Sequence, residues 1–188
     1  INKYFNKISD KKDSLTLLNT SFSIEGAYIY LPKSVTAEKP IEIMHFSTGK
    51  QGDFFLQPRN LIIVEENAEV QILERHQSLS NHIPFTNSVT EIYAKDSSRI
   101  DYYKIQNDRE EAYLIDNTYI SQNTKSNVHV HTFSFGGEIT RNNLNFYQNG
   151  ENCNSTLNGL TIINANQHVD HYTLVSHAKP NCESHQEY

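Results

Sequence analysis

Short strand-like segments recur in pairs along this chain of 188 residues, and the spacing between pairs is nearly constant. A polar turn joins the two segments of each pair, so one residue of each turn can serve as an anchor. The anchors are Lys39, Ala68, Ser98, Ser126, Cys153 and Cys182, with spacings of 29, 30, 28, 27 and 29 residues. A period of roughly 20–50 residues is typical of repeat folds, in which each unit buries its apolar face against the next.

The residues that follow the anchors predict which side of each strand faces inward. Two positions after the anchors lie, in order, Ile41, Val70, Ile100, Val128, Ser155 and Ser184. The first four are apolar, and the last two weaken the column. Two strands per unit predict an all-β parallel β-helix of about 28–29 residues per coil, with coils about 4.8 Å apart. An antiparallel sandwich or jelly roll is the alternative, but hairpin-type Asn-Gly dipeptides such as Asn149-Gly150 are scarce.

A polar segment precedes the repeats. The one helical candidate lies near residues 10–20, with Ser9 or Asp10 as its N-cap. We therefore interpret residues 1–20 as a leading polar and helical segment, and residues 1–188 as one β-helix core domain. Because the chain begins with isoleucine and stops within a patterned stretch, we expect a fragment of a longer protein.

Composition argues against two classes of partner. The formal net charge is −6 and no basic run exceeds Lys11-Lys12, so the basic stripe that nucleic-acid binding requires is missing. No segment has the uninterrupted apolar length of a membrane span or of a signal peptide. Two cysteines, Cys153 and Cys182, are too few for a disulfide framework. We expect a soluble, cytoplasmic protein that binds neither nucleic acid nor membranes.

The closing stretch HVDHYTLVSHAKPNCESHQEY is rich in potential metal ligands. In an extended strand His168 and His171 point to opposite faces, because their separation is odd. His171 and His177 share a face but lie about 20 Å apart, which is too far for a shared ion. Cys182 and His185 have a ligand-like spacing, but the sequence offers no second ligand pair. They are weak metal candidates, and a polar coil corner is the main alternative.

A second pair of weak metal candidates is His129 and His131. Their separation of two places both on one face of a strand, and with Val128 inward that face is the outside of the coil. The repeat places Asp101 beneath His129, which predicts an exposed cross-strand pair, and Tyr103 beneath His131. A solvated ladder of side chains is the alternative to a ligand pair.

Sequence motifs for catalysis are not found. No G-x-S-x-G, P-loop or G-x-G-x-x-G occurs, and Gly136-Gly137 followed by Arg141 indicates a turn first. A carbohydrate-active β-helix enzyme would need acids and bases clustered on one sheet face, and the repeat register indicates no such cluster. We therefore expect no catalytic residue and no enzyme. A carbohydrate-active enzyme and a metal-binding module with exposed histidines are the alternatives.

Three stretches carry a resemblance to a known family. They are LNTSFSIEGAYIYLPKSVTAEKPIEI (18–43), GGEITRNNL (136–144) and the closing HVDHYTLVSHAKPNCESHQEY (168–188). In this order they resemble the SufB and SufD superfamily, the scaffold subunits of the SUF iron-sulfur cluster assembly machine. The LNTSF opening and the Gly136-Gly137 region are more similar to the SufD branch than to the SufB branch.

The resemblance implies a right-handed parallel β-helix flanked by helical segments, and a non-catalytic scaffold. It implies pairing with a SufB-like subunit through later coils, contact with a SufC-like ATPase through a C-terminal helical segment, and support of cluster assembly and iron acquisition. The iron-sulfur cluster and a reduced flavin would belong to the whole complex, with no cofactor bound by this chain alone. No residue is assigned to the flavin.

The family's Cys-x-His element at the SufB–SufD interface and its SufC-contacting segment both lie downstream of the closing stretch. We therefore expect this chain to contain the middle of the scaffold without those surfaces. An open end of a β-helix exposes unpaired backbone, so we also expect self-association, for example as a homodimer, when the chain is isolated.

Overall fold

Two parallel sheets contain nearly all of the regular structure. The computed structural model describes residues 1–48, 52–79 and 81–188. The strands of the first sheet are β1 (Tyr28–Leu31), β3 (Phe54–Leu56), β4 (Arg59–Val64), β6 (Pro84–Ala94), β8 (Tyr113–Gln122), β10 (Ile139–Gln148) and β12 (His168–His177). The strands of the second sheet are β2 (Ile41–Ser47), β5 (Glu69–Ser78), β7 (Arg99–Gln106), β9 (Asn127–Phe135), β11 (Asn154–Ile162) and β13 (Glu183–Glu187).

From β4 onward the chain alternates between the two sheets, and each strand pairs with the equivalent strand of the next coil. All strand pairings in the described residues are parallel. The predicted parallel β-helix with two strands per coil is confirmed, and the antiparallel alternative is wrong.

Tight corners connect the first sheet to the second. In each corner one residue has a left-handed backbone: Asn67, Ser97, Lys125, Asn152 and Asn181 have φ values of 56°, 56°, 60°, 57° and 58°. Asparagine tolerates this conformation better than most residues, which explains its recurrence here. The next residue is the predicted anchor, and it is small and buried in the first four of these corners. The turn chemistry therefore sets the repeat.

The first coil departs from the predicted register. The anchor predicted at Lys39 is wrong, because the first corner lies at Ser34, whose φ is 59°. Additional residues between this corner and β2 shift the strand, so that Ile41 pairs with Ile72 and not with Val70. The other predicted rows are confirmed by pairings of Val70 with Ile100, Ile100 with Val128, Val128 with Ser155, and Ser155 with Ser184.

The half of the interior next to the tight corners is a continuous apolar core. Its fully enclosed side chains come from both sheets and include Ile62, Val64, Ile72, Ile92, Ile100, Ile120, Val128, Val130, Phe146 and Leu157. Burial of each large aliphatic side chain contributes about 1.5–3 kcal/mol to folding. This column of stacked side chains therefore supplies the main stabilisation of the coils.

The predicted N-terminal helix is present, but it begins later than expected. Helix α1 spans Ser14–Phe22, and its N-cap is Asp13, whose carboxylate accepts a hydrogen bond from the Thr16 N–H at 2.7 Å. Ser9 and Asp10 are therefore not the cap. Asn19 anchors the helix to the β-helix by donating to two backbone carbonyls, at 2.8 and 3.0 Å. In the described part of the chain no helix is long and apolar enough to cross a membrane.

Candidate functional site

The interior changes from apolar to polar along each coil. On β5 the inward side chains are Val70 and Ile72 near the corner, followed by Glu74 and His76. The inward polar side chains include Glu74, His76, Lys104, Gln106, Thr132 and Ser134 on the second sheet and Asp116, Thr118, Thr140 and Asn142 on the first. We call these ten residues the polar half of the interior. It lies on the side of the β-helix away from the tight corners.

A histidine from a neighbouring strand meets the polar half at one end. His45 on β2 pairs with His76 on β5, and Glu74 lies two residues before His76 on the same face. The Glu74 Oε1 atom is 2.8 Å from His45 Nε2 and 3.7 Å from His76 Nε2. The two imidazole rings stack with centroids 4.5 Å apart and an interplanar angle of 16°. We call these three residues the His-Glu-His cluster.

Two further side chains hold the carboxylate of Glu74 in place. Asn60, from β4 of the opposite sheet, donates a hydrogen bond to Oε1 at 2.7 Å. The Tyr102 hydroxyl, from the next coil, donates to Oε2. The Glu74 side chain is only 1% exposed, so these contacts replace the water that the carboxylate loses on burial.

The pKa shifts in the cluster have identifiable causes. Burial would raise the pKa of Glu74, but the hydrogen bond and charge of His45, with the charges of His76 and Lys104, outweigh it and lower the pKa. Burial acts to lower the pKa of His45, yet the hydrogen bond and charge of Glu74 raise it. Burial, helped by the charge of His45, lowers the pKa of His76 to about 4. At neutral pH Glu74 is therefore ionised and His76 is neutral.

A second buried charge pair lies one coil further along. Lys104 Nζ is 2.7 Å from Asp116 Oδ2, and their side chains are 5% and 2% exposed. The ammonium also donates to Thr118 Oγ1 at 2.8 Å. Since β7 and β8 belong to different sheets, the pair bridges the interior. The positive charge of Lys104 is compensated locally.

Several buried polar atoms of this half have no hydrogen-bond partner within the described chain. They are His76 Nε2, Gln106 Nε2, Asp116 Oδ1, Thr132 Oγ1 and Thr140 Oγ1. A cavity of about 10 Å³ lies beside four of these five residues, which is close to the space that one water molecule needs. The polar half can therefore bind small polar species such as a water molecule.

A larger cleft opens outside the His-Glu-His cluster. Its volume is about 550 Å³, and both histidines of the cluster line it. Its acidic lining residues are Glu25, Glu42 and Asp108, and the described lining contains no lysine or arginine. The cleft therefore gives a small cation a route to the cluster through acidic surroundings.

The predicted candidates His129 and His131 lie on the outer face of β9. His129 Nδ1 is 2.9 Å from Asp101 Oδ1, which confirms the predicted cross-strand pair. His131 stacks on Tyr103, as the register implied, with centroids 4.8 Å apart. Among the described residues neither histidine belongs to a group of three potential metal ligands. Their role as ligands stays a prediction.

The predicted candidates Cys182 and His185 lie in different environments. Cys182 lies at the last corner, where its thiol and that of Cys153 both face the carbonyl of Gly150, at 3.3 and 3.2 Å. His185 lies on β13 with its side chain 67% exposed, and its closest charged partner is Glu183 at 3.8 Å. The structure brings no third ligand to them within the described chain.

The histidines of β12 also follow the predicted alternation. His171 points toward neighbouring coils, where its Nε2 is 2.8 Å from Thr161 Oγ1 and its Nδ1 is 3.5 Å from Asn142 Nδ2. His168 is exposed and lies on the opposite face. The two side chains therefore do not share a site.

The expectation that no acids and bases cluster on one sheet face is wrong, because His45, Glu74, His76 and Lys104 share the inward face of the second sheet. Glu74, Lys104 and Asp116 converge with two histidines inside the β-helix. One sequence signal could have found them: Glu74 and Lys104 occupy positions at which the two-residue alternation of β5 and β7 calls for an inward side chain. A charged residue at an inward position requires a partner, and this requirement indicates a buried polar site.

Fold and site together define a class of protein, a parallel β-helix with a partly polar interior and a short helix packed on its side. The family model described as "SUF system FeS cluster assembly, SufBD core domain" matches residues 45–188. A second model, "SufBD protein N-terminal region", matches residues 1–43. The chain belongs to the SufBD family, and the resemblance to the SufB and SufD superfamily is confirmed.

Curated relatives agree with this assignment. The chain is 25% identical over 181 residues to an iron-sulfur cluster assembly SufBD family protein of Synechocystis, covering 92% of this chain and 40% of that protein. It is 23% identical over 171 residues to the iron-sulfur cluster assembly protein SufD of Escherichia coli, covering 90% and 40%. For SufD of Bacillus subtilis the values are 28% identity over 110 residues, with 57% and 25% covered. The chain spans about two fifths of the length of the first two relatives.

Proposed function

We propose that this chain is part of a non-catalytic scaffold subunit for iron-sulfur cluster assembly in the cytoplasm. The observation that carries the proposal is the match of the SufBD core and N-terminal models to nearly the whole chain, on a continuous parallel β-helix. The relatives to which the chain is similar are described as iron-sulfur cluster assembly proteins. A stack of coils suits a scaffold because it presents an extended, regular surface to partners.

A carbohydrate-active enzyme fits the structure less well. The two carboxyl groups of a glycosidase flank the bond that is cleaved, and both contact the sugar. Here the two acids of the polar half, Glu74 and Asp116, have side chains that are 1% and 2% exposed and lie inside the β-helix. A polymer cannot reach them. We therefore propose that the chain does not turn over a substrate by itself.

We propose a SufB-like subunit and a SufC-like ATPase as partners of the protein that contains this chain. The proposal follows from the family assignment. The iron-sulfur cluster is then the cargo of the assembled complex, and a reduced flavin acts at the level of that complex. Self-association of the isolated chain as a homodimer stays a prediction, which light scattering over a range of concentrations tests.

The experiment is co-purification. The protein that contains this chain is tagged and co-expressed with the SufB-like and SufC-like proteins of its own organism. We expect all three to elute together, and we expect anaerobic cluster assembly to need the complete set. Recovery of the tagged protein without either partner would contradict the proposal, as would ATP hydrolysis or polysaccharide cleavage by the tagged protein alone.

A further inference from the structure

One potential ligand atom from each of His45, Glu74 and His76 lies within 4.8 Å of the others. Two ligand atoms bound to one ion at about 2.0–2.2 Å lie roughly 3–3.5 Å apart. The two distances from the Glu74 Oε1 atom, 2.8 Å to His45 Nε2 and 3.7 Å to His76 Nε2, bracket that range. We propose that the His-Glu-His cluster binds one divalent first-row transition-metal ion.

The ligand set defines the class of ion. Imidazole nitrogen suits Zn, Cu, Fe and Ni, whereas Ca²⁺ and Mg²⁺ prefer oxygen ligands. Two imidazoles and one carboxylate are also the donors of many three-ligand metal sites that keep positions open for water or substrate. The three residues of the cluster supply this combination and leave the remaining positions to solvent from the cleft.

His76 provides an independent indication that a ligand belongs here. Its side chain is 7% exposed, and its Nε2 has no hydrogen-bond partner within the described chain. A buried polar nitrogen without a partner is destabilising. This nitrogen lies 3.7 Å from Glu74 Oε1, beyond hydrogen-bond distance but close enough for both atoms to share an ion. Metal coordination would satisfy it.

The groups behind the cluster resemble the supporting contacts of metal sites. Ligating carboxylates are usually hydrogen-bonded by neighbours that fix their orientation. Asn60 donates to Glu74 Oε1 at 2.7 Å, and the Tyr102 hydroxyl donates to Oε2. These two contacts fix the orientation of the carboxylate, and its Oε1 atom still faces the two imidazoles. The ligand is positioned before an ion arrives.

An ion can reach the cluster from outside. The cleft of about 550 Å³ is lined by both histidines, and Glu25, Glu42 and Asp108 are its acidic residues. Lining by one sign of charge raises the local concentration of the oppositely charged ion. Lys104, a buried cation of the polar half, is neutralised by Asp116 at 2.7 Å. The electrostatics at the cluster therefore favour a cation.

Binding requires two local changes: the proton that His45 Nε2 donates to Glu74 Oε1 at 2.8 Å leaves to solvent, and the His45 ring rotates. The rings of His45 and His76 stack at 4.5 Å with an angle of 16°, so their in-plane lone pairs lie in separate, nearly parallel planes and do not yet meet at one point. Rotation of the His45 ring, whose side chain is 18% exposed, brings its Nε2 lone pair onto the ion. The ring stack is then lost, which gives the experiment a second observable.

The test uses Co²⁺ as a spectroscopic probe on the complete protein that contains this chain. Titration with CoCl₂ under anaerobic conditions is followed by visible d–d absorption and by isothermal calorimetry. We expect a break at one equivalent per chain and displacement of Co²⁺ by Zn²⁺. NMR of the histidine side chains should show His45 and His76 shifting together as the stack opens.

Three variants locate the site. His45→Gln and Glu74→Gln should each weaken Co²⁺ binding by more than the roughly 10- to 100-fold that loss of a supporting contact costs. A change at buried Glu74 can reduce folding. His45 lies at the edge of the interior, so the His45→Gln variant still measures the contribution of the cluster to Co²⁺ binding in that case. The matched control is His129→Gln, which removes a histidine that faces the carboxylate of Asp101 at 2.9 Å but has no third ligand among the residues that the structure describes.

The proposal is independent of the scaffold function, because co-purification with partners does not require the metal. It is overturned if the wild-type protein shows no saturable Co²⁺ binding. It is equally overturned if His45→Gln binds as tightly as wild type, or if His129→Gln alone abolishes the absorption bands. A loss confined to the two cluster variants supports it.

Discussion

Replacement of Glu91 by glutamine should detach the N-terminal segment from the β-helix. Glu91 projects from the outer face of β6 and is fully buried. Its carboxylate accepts hydrogen bonds from four successive backbone N–H groups, those of residues 6–9, at 2.7 to 3.3 Å. It also pairs with Arg59 at 2.7 Å, and the Arg59 side chain is only 2% exposed. One carboxylate therefore joins a segment more than 80 residues away to the second and third coils.

The magnitude follows from the burial of both charges. Glu91→Gln keeps the size of the side chain but leaves the Arg59 guanidinium in the interior without its counter-charge. Removal of one partner of a buried ion pair costs about 3–5 kcal/mol, and weaker N–H contacts act in the same direction. For a domain of this length 1 kcal/mol corresponds to about 2–4 °C, so the melting temperature should fall by roughly 6–20 °C.

Two assays check this prediction. Urea unfolding gives the change in free energy, and limited trypsin digestion reports on the segment itself, which contains cleavage sites at Lys7, Lys11 and Lys12. The matched control is Glu66→Gln, since the Glu66–Lys33 pair has the same 2.7 Å separation but side chains that are 44% and 62% exposed. It should change stability by less than about 1 kcal/mol. If Glu91→Gln matches this control in both assays, the anchoring argument is refuted.

Three more predictions test the interior. Lys104→Met should lower the free energy of unfolding in urea by about 3–5 kcal/mol, because it leaves buried Asp116 without its counter-charge. The double variant Lys104→Met with Asp116→Leu should recover most of that loss. Ile120→Ala should cost about 2–5 kcal/mol by the same assay, since Ile120 is fully enclosed, whereas exposed Leu160→Ala should cost under about 0.5 kcal/mol. Burial, together with the charges of His45 and Lys104, lowers the pKa of His76 to about 4. The charges of Glu74 and Asp116 act in the opposite direction and are outweighed. Its folded pKa is thus below the unfolded value, so its stabilisation is complete above about pH 6.5 and is lost as the pH falls toward 4, by at most about 3 kcal/mol. Relative to His76→Gln, the wild-type protein should therefore lose stability over that interval in urea titrations at stepped pH.

The sequence alone predicted the parts of the fold that depend on local pattern. The turn spacing gave the coil length because each corner needs one left-handed residue followed by a small one, as at Asn67 and Ala68. Strand alternation then gave the rows of inward side chains and the pairing of Asp101 with His129. The first coil was mispredicted because its corner, at Ser34, is followed by a longer connection that carries no pattern of its own.

The candidate site was missed for a different reason. Glu74 has its nearest partners on other strands and on the other sheet: His45 one coil earlier, Asn60 across the interior, and Tyr102 one coil later. Which residues face each other across the interior depends on the lengths of the connections, and a spacing argument within one sheet does not contain that information. The register of the second sheet was available from the sequence, but the relation between the sheets was not.

The division of the interior into two halves is itself evidence about what the molecule does. The apolar half already provides a continuous core from Leu31 on β1 to Leu157 on β11, and well-packed hydrophobic residues in place of buried ion pairs are often as stable or more stable. Stability therefore does not explain Glu74, His76, Lys104 and Asp116, whose burial has to be compensated contact by contact. The unpartnered atoms among them face either the cluster or the small cavity beside it. The free hydrogen-bonding capacity of His76 and Asp116 thus lies where an ion or a water molecule can enter, which is the arrangement expected of a binding site.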